Sequence, residues 1–578
     1  MLVKAQNAEN LLEFTRDRKT GLVTEEKQGE HIVSRTYDGE GNCTRITSSL
    51  GADIRHTYDW EGNLQTMQAG ESWQASWVRD NTGLEVQRTF SGGVIVSTER
   101  DRFGREVRKS VRSGGIERGA YRYEWGIANR LLSKENELTG TVMRYDYDRF
   151  DFLIRQETIQ GSETDVIYRV PDFVGNLFET PDKKDRKYGA GGKLLEDPDC
   201  FYHYDDEGNL IFREFKQLQE TGVRYDRKCM EKERGIRCLA TGTGWLYEWA
   251  SNGMLKKVIR PDGRPVEFRY DALGRRTAKQ YFGKVTRWVW DGNVPIHEWG
   301  YKVTDRQPND EENTPSKEPI EDITTWVFEA GTFVPTAKIQ NGKQYSIVSD
   351  YLGTPIQMYD EQGHKTWDCI LDIYGKAINI ERSSLNECPF RWAGQYLDYE
   401  TNLCYNRFRY YSPEMGGYIS QDPIGLLGNN PTLYGYVYDT NSWIDELGLY
   451  SNILGSGMGH HLMPRSIAKK LNILDLSKNN SIAWYPESSH GTAELHKKLH
   501  RNLIDEGVPY HGSKYTGNVD DFFDSAEKAY KGIEIKGYMK IPGTDDVLDR
   551  GTPLECIQKL REKYGNEKEK VRTQKHNH

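Results

Sequence analysis

The stretch Tyr58-Asp-Trp-Glu-Gly-Asn-Leu64 decides the fold of most of this chain. An aromatic residue ends one strand, the aspartate side chain caps a turn, and glycine takes the positive φ that a tight hairpin needs. An alternating apolar and polar segment, Leu64-Gln-Thr-Met67, then opens the next strand. The stretch therefore predicts two antiparallel strands joined by a tight turn.

The same unit recurs along the chain, with the first four copies 21 residues apart. The copies begin at Tyr37, Tyr58, Arg79, Arg100, Tyr145, Tyr204 and Tyr270. A unit of this size cannot bury its apolar face alone, so neighbouring units are expected to stack into one long wound β-sheet. The repeats predict a mainly β scaffold, and a scaffold role is favoured over direct catalysis for this region.

Charge and histidine divide the chain near residue 450. The 578 residues carry a net charge of −9, but residues 450–578 carry +3 and contain 8 of the 13 histidines. A chain this long is expected to hold more than one domain. The change in composition predicts a separate C-terminal domain with its own chemistry.

The cysteines and the apolar residues indicate the cellular compartment of the protein. The eight cysteines are scattered and include no C-x-x-C pair, which favours reduced thiols over a disulfide framework. No apolar run is long enough to span a bilayer, and the start of the chain has no apolar signal core. We expect a protein that is cytoplasmic in the producing cell and needs dedicated machinery to leave it.

Four blocks near the end of the repeats resemble the YD-repeat (Rhs) family. They are Asp350-Tyr-Leu-Gly-Thr-Pro355, Pro389-Phe-Arg-Trp-Ala-Gly-Gln-Tyr396, Tyr405-Asn-Arg-Phe-Arg-Tyr-Tyr-Ser-Pro413 and Tyr418-Ile-Ser-Gln-Asp-Pro-Ile-Gly-Leu426. The resemblance implies a hollow, cocoon-like β-shell around a cargo polypeptide. It assigns residues 1–349 to the repeat shell, 350–449 to the Rhs-associated core and 450–578 to a toxin domain.

Two aspartates close the core region. Asp422 lies in Asp-Pro-Ile-Gly-Leu, and Asp445 lies 23 residues later in Asp-Glu-Leu-Gly-Leu449. Two close carboxylates can share a proton, so that one acts as base and the other as acid. The resemblance implies an aspartyl self-protease built on this pair, which cuts between Leu449 and Tyr450. The alternative is that both aspartates only cap turns.

Two positions depart from the pattern of the family. Glu446 stands where the family generally has proline, and Gly417 stands where an arginine often precedes the first aspartate motif.

Histidines in the tail suggest a metal site. His496 and His500 are four apart among good helix formers, which places both on one helix face at the spacing of two ligands of a divalent ion. The pair His460-His461 can supply a third ligand and a neutral base that deprotonates water. Asn480 can hold the loop that bears the base through side-chain hydrogen bonds.

This arrangement resembles the HNH (ββα-metal) nucleases, in particular the G-H-H toxin branch. The resemblance implies that His461 is the general base, Asn480 the central asparagine and His490 a further site residue. It implies the metal ligands His460, His496 and His500, with Zn, Mg, Mn or Ni as the divalent ion. Two choices stay open: His490 can replace one of the ligands, and Asn479 can replace Asn480.

Basic residues flank the histidines. Lys497, Lys498 and Arg501 are expected to contact phosphates of a nucleic-acid substrate. The predicted protein is an antibacterial toxin with a mainly β shell and a small α+β nuclease domain, acting on DNA in preference to RNA. The resemblance implies a cognate immunity protein and delivery into target cells by secretion machinery, often type VI, with a chaperone. The alternative is a structural repeat carrier with an inactive tail.

Overall fold

The computed structural model describes residues 2–564 except 61, 82, 220–221, 307–317, 379–386, 426–431, 450–461, 464, 472, 474–482, 487–491, 510–514 and 541–546. The chain divides into two compact units. The larger comprises Met1–Asp101 and Arg105–Tyr450, and the smaller comprises Arg102–Gly104 and Ser451–His578. Each unit has a hydrophobic core of its own.

The larger unit is built on two long antiparallel sheets, in which each strand pairs with its neighbours along the chain. The first sheet contains β1 Lys4–Gln6, β2 Leu11–Arg16, β3 Val23–Gln28, β4 His31–Tyr37, β5 Cys43–Ser48, β6 Asp53–Tyr58, β7 Leu64–Ala69, β8 Trp73–Arg79, β9 Glu85–Phe90, β10 Val94–Arg100, β11 Glu106–Ser113, β12 Ile116–Trp125, β13 Leu131–Asn136, β14 Thr141–Tyr147, β15 Leu153–Gln160 and β16 Glu163–Tyr168. A two-stranded ladder, β17 Val170–Pro171 and β18 Leu177–Phe178, follows it.

The second long sheet continues the same pattern. It contains β19 Lys187–Tyr188, β20 Leu194–Glu196, β21 Cys200–Tyr204, β22 Leu210–Phe215, β23 Gly244–Trp249, β24 Leu255–Ile259, β25 Pro265–Tyr270, β26 Arg276–Tyr281, β27 Lys284–Asp291, β28 Val294–Lys302, β29 Thr324–Phe328, β30 Pro335–Gln340, β31 Lys343–Ser349, β32 Pro355–Tyr359 and β33 Lys365–Asp368. Helix α1, Arg227–Arg234, is inserted between β22 and β23. Sequential pairing of this kind is what a chain of hairpins produces, and it confirms the predicted mainly β repeat scaffold.

The repeated turn has the predicted chemistry. The Asp59 carboxylate accepts the Asn63 N–H at 2.9 Å, and Gly62 has a φ of +84°. Tyrosine makes a contact that the pattern did not reveal, because the Tyr58 hydroxyl donates to the Cys43 carbonyl of the preceding repeat at 2.8 Å. Tyrosines of other repeats make the same bond to a carbonyl about one repeat upstream. In these repeats the tyrosine therefore ties its hairpin to the one before it, and in the copies at Arg79 and Arg100 the arginine makes the corresponding bond.

Apolar side chains of both long sheets pack into one core. Polar pairs also join the two sheets. The Trp73 indole donates to Ser346 Oγ at 3.1 Å, and Ser48 Oγ lies 2.6 Å from Nε2 of the fully buried His297. Each such pair satisfies groups that would otherwise be buried without a partner.

The chain then forms two small sheets over an aromatic core. They contain β34 Ile370–Leu371, β35 Ala377–Ile378, β36 Tyr396–Asp398, β37 Leu403–Asn406, β38 Arg409–Ser412 and β39 Gly417–Tyr418. After β39 the chain returns to the first long sheet, where the Leu153 N–H and the Arg169 guanidinium donate to the Tyr438 carbonyl at 3.2 and 3.0 Å. The end of this unit is thus fixed to its first half.

The smaller unit mixes helices and strands. Its elements are α2 Arg465–Lys470, β40 Ala483–Pro486, α3 Thr492–Asp505, α4 Val519–Tyr530, β41 Gly537–Lys540, β42 Val547–Gly551 and α5 Pro553–Tyr564. The strands form one antiparallel sheet in the order β40-β41-β42. Buried Trp484, Leu499, Phe522 and Ile557 bring the sheet and the helices into one core. Among the described residues of the chain, no helix is long and apolar enough to cross a bilayer.

Candidate active site

Asp422 is the buried first residue of a turn that follows β39. Its N–H donates to the Leu433 carbonyl at 2.9 Å, and its Oδ1 accepts the Ile424 N–H at 2.9 Å. The side chain is 7% exposed. One carboxylate oxygen thus caps the turn, as the simpler interpretation of the motif predicts, while the other oxygen faces the interior.

Asp445 lies at the end of residues 432–445, and its carboxylate is close to that of Asp422. Its Oδ2 accepts the Tyr418 hydroxyl at 2.7 Å, and its Oδ1 accepts the Leu449 N–H at 2.9 Å. The carboxylate therefore contacts the residue whose carbonyl carbon belongs to the predicted scissile bond. One oxygen of this side chain thus caps the turn at residues 445–449, and the other accepts the Tyr418 hydroxyl.

Arg409 of β38 joins the two aspartates. Its Nη2 lies 2.9 Å from Asp422 Oδ2 and 3.3 Å from Asp445 Oδ2. The guanidinium packs 3.6 Å from the centre of the Tyr418 ring, and its Nε donates to the Gly448 carbonyl. One fully buried cation therefore brings both carboxylates and the cleavage segment, residues 445–449, together.

The surroundings of Asp422 raise the pKa of its carboxyl group. Burial raises the pKa of Asp422, and the charge of Asp445 raises it further, although Arg409 and the Ile424 N–H act in the opposite direction. Beyond the ion pair with Arg409, Asp422 Oδ2 has no hydrogen-bond partner among the described residues. Asp445 accepts hydrogen bonds through both of its oxygens, and burial favours the protonated form of Asp422.

The cleavage segment is held tightly along its backbone. The Phe408 N–H donates to the Leu447 carbonyl at 3.1 Å, and the Asn406 side-chain amide donates to the Asp445 carbonyl at 2.7 Å. Gly394 has a φ of +87°, and a Cβ there would lie 2.1 Å from the Glu446 carbonyl oxygen. The glycine of the block Trp392-Ala-Gly-Gln395 is thus explained by the close approach of this segment.

The two departures from the family pattern have different surroundings. At Gly417, a Cβ would lie 2.7 Å from the Tyr434 carbonyl oxygen, so a larger residue cannot be placed there without movement. The guanidinium at the aspartate pair comes instead from Arg409. Glu446 contributes its backbone to the contact with Gly394, and its side chain takes no part in the contacts between the two aspartates.

The structure therefore brings Asp422, Asp445 and Leu449 together, while Tyr450 lies outside the described residues. Sequence reasoning missed Arg409, Tyr418 and Asn406. A signal for two of them was present, because Asn406 and Arg409 are polar residues within a strand block otherwise rich in aromatic residues, Tyr405-Asn-Arg-Phe-Arg-Tyr-Tyr411.

The predicted nuclease residues are divided between the described and the undescribed parts of the chain. His460, His461, Asn480 and His490 are not described. His496, Lys497 and His500 lie on α3, as the predicted helix requires, and Lys498 and Arg501 are exposed on the same helix. Among the described residues of the smaller unit, one strand, β40, precedes α3, and its partners β41 and β42 follow α4. The histidine site and its ββα-metal fold stay predictions.

Comparison with known proteins identifies the family. Residues 96–441 match the Teneurin YD-shell family, so the chain belongs to the YD-shell family. Residues 456–569 match toxin protein PT1. The structure of the Photorhabdus luminescens Tc holotoxin pore with the mutation TccC3-D651A has the same kind of fold, with a TM-score of 0.53 and 16% identity over 79% of this chain and 24% of that chain.

Two curated relatives are toxins or nucleases by name. Probable deoxyribonuclease RhsB of Dickeya dadantii is 28% identical over 75% of this chain and 28% of its own length. Double-stranded DNA deaminase toxin A of Burkholderia cenocepacia is 27% identical over 76% of this chain and 30% of its own length. The chain spans less than a third of the length of either relative.

Proposed function

We propose that this chain is an interbacterial toxin that cleaves its own backbone between Leu449 and Tyr450 and so frees residues 450–578. The observation that carries the proposal is the convergence of Asp422 and Asp445 on Arg409, beside Leu449. A pair of turn caps needs no shared cation and no contact with the residue before the cut.

The geometry suggests a role for each group. Asp445 takes a proton from a water molecule, whose oxygen adds to the Leu449 carbonyl carbon. Asp422, whose pKa burial raises, donates a proton to the Leu449 carbonyl oxygen. The protonated Asp445 then gives its proton to the leaving nitrogen as the C–N bond breaks, and Asp422 regains a proton from the hydroxyl whose oxygen becomes the new carbonyl oxygen. The products are a Leu449 carboxyl group and a Tyr450 amino group.

Intact mass tests the cleavage. We expect the wild-type chain to yield two pieces with a new N-terminus at Tyr450, and Asp422→Asn and Asp445→Asn each to yield one species of 66.8 kDa. Asp360→Asn is the matched control, because Asp360 caps a turn through the Gln362 and His364 N–H groups at 3.0 and 2.8 Å. An uncleaved wild-type chain, or cleavage in either aspartate variant at the control rate, would contradict the proposal.

The freed tail is proposed to be a metal-dependent endonuclease that acts on DNA in preference to RNA. The match to toxin protein PT1 and the relative named a deoxyribonuclease support a toxin that acts on nucleic acid. His461 is assigned as base, Asn480 and His490 as supporting residues, and His460, His496 and His500 as ligands. A divalent ion bound there supplies charge stabilisation at the phosphoryl group. A cognate immunity protein and secretion machinery are the proposed partners.

Incubation of purified residues 450–578 with plasmid DNA and with total RNA tests the proposed activity of the tail. We expect DNA cleavage that EDTA abolishes and a divalent ion restores, and loss of activity in His461→Ala. His511→Ala is the control, since His511 is outside the proposed set. Intact DNA under every metal would exclude the nuclease, and cleavage that persists in EDTA would exclude the metal. Neither outcome depends on whether the chain cleaves itself.

A further inference from the structure

A small cavity lies beside the cleavage segment, between the second long sheet and the small sheets. It encloses about 30 Å³ of free space, and its wall includes Arg276, Trp288, Gln395, Tyr405 and Arg407. Gly394, which packs against the Glu446 backbone, belongs to the same wall. The cavity is separate from the contacts of the two aspartates.

Four buried N–H groups of this wall have no acceptor within the described part of the chain. They are Arg276 Nε, Trp288 Nε1, Gln395 Nε2 and Arg407 Nη1. Their side chains are all at least nine-tenths buried, and Gln395 is only 1% exposed. A buried donor without a partner destabilises the folded state, so four of them on residues that line one cavity indicate a bound group that accepts hydrogen bonds.

Three arginines, Arg276, Arg391 and Arg407, belong to a wall that is otherwise mostly aromatic and apolar. Arg276 pairs with Asp398, but Arg391 and Arg407 form no ion pair with any described carboxylate. Arg391 donates to the Phe390 carbonyl at 2.8 Å, and Arg407 donates to the Leu273 carbonyl at 2.8 Å. Carbonyl dipoles compensate a buried cation only in part, and an anion nearby would compensate it better.

We propose that this cavity binds one small monovalent anion of the size of chloride. Its free space of about 30 Å³ admits about two water molecules, which suits a monatomic anion. Donors outnumber the single unpartnered acceptor, Gln395 Oε1, by four to one, which favours an anion over water. The bound anion holds together the wall against which Glu446 packs.

Thermal unfolding of the full chain tests the site. At equal ionic strength and neutral pH, we expect chloride and bromide to raise the Tm by about 3 °C over gluconate, because a ligand of the folded state stabilises it. Gln395→Leu removes the unpartnered amide and should abolish the difference between the salts. Gln362→Leu, on an exposed turn, should keep it.

A second measurement does not depend on a variant that folds. Crystals grown in bromide should show an anomalous peak within hydrogen-bond distance of Gln395 Nε2. Equal Tm values in all three salts, the same halide effect in Gln395→Leu as in the wild type, or a cavity that holds water without bromide would each overturn the proposal.

Discussion

The two units of this chain differ in how their predicted chemistry is distributed along the sequence. In the larger unit, Asp422 and Asp445 are 23 residues apart and meet through Arg409 of another strand. In the smaller unit, His496 and His500 are four residues apart on the single helix α3. The spacing of residues along the chain is thus sufficient to suggest the metal site. The contact between the two carboxylates and Arg409 is seen only in the folded structure.

Removal of the shared cation should have the largest effect. Arg409→Gln leaves two buried carboxylates without their counter-ion, which costs about 3–5 kcal/mol. We expect self-cleavage to slow by about 1,000-fold, measured as the rate at which the full-length band disappears. Arg264→Gln, a half-exposed arginine elsewhere in the larger unit, is the control. A normal rate in Arg409→Gln would mean that the pair works without the cation.

Acid should weaken the larger unit through His297. Burial lowers the pKa of His297 to about 4, so between pH 6.5 and 4 the unfolded chain binds a proton that the folded chain does not. The free energy of unfolding therefore falls as the pH falls, by about 3 kcal/mol from this group. Denaturant unfolding of the wild type and of His297→Gln measures it, and equal pH dependence in both would contradict the assignment.

A substitution that disturbs the close packing against the cleavage segment should have a smaller effect. Gly394→Ala places a methyl group against the Glu446 carbonyl and strains a left-handed residue, at a cost of about 2 kcal/mol. We expect slower cleavage and a lower Tm. Gly283→Ala shares the positive φ but has nothing within 4 Å, so it isolates the cost of the backbone alone. Equal cleavage rates and equal Tm values in Gly394→Ala and Gly283→Ala would mean that the close approach of Gly394 to Glu446 has no effect of its own.

The smallest effect should come from the basic residues of α3. Lys498 and Arg501 are exposed. The loss of one phosphate contact should lower DNA affinity by a few-fold and reduce the slope of log affinity against log salt concentration by about one. Affinity of Lys498→Ala measured at two salt concentrations tests this. Lys531→Ala, an exposed lysine after α4, is the control. Equal salt slopes for Lys498→Ala and the wild type would exclude the contact.

The sequence predicted what depends on neighbours along the chain. The aspartate and glycine of each turn, the alternating strands and the helix that carries His496 follow from local spacing. The tyrosine bond from Tyr58 to Cys43 and the contact of Gly394 with Glu446 do not, because they join residues that only the fold brings together. Arg409 was missed for the same reason, since its partners lie 13 and 36 residues further along the chain.

One contact within the larger unit has a consequence for the order of events during synthesis. Tyr438, which lies between the two aspartates in sequence, is held by Leu153 and Arg169 near the end of the first long sheet. A nascent chain whose first half has not folded lacks this anchor for the segment that carries Asp445 towards Asp422. Under the proposed function, scission is then a checkpoint: the toxin is separated only from a carrier that has finished folding.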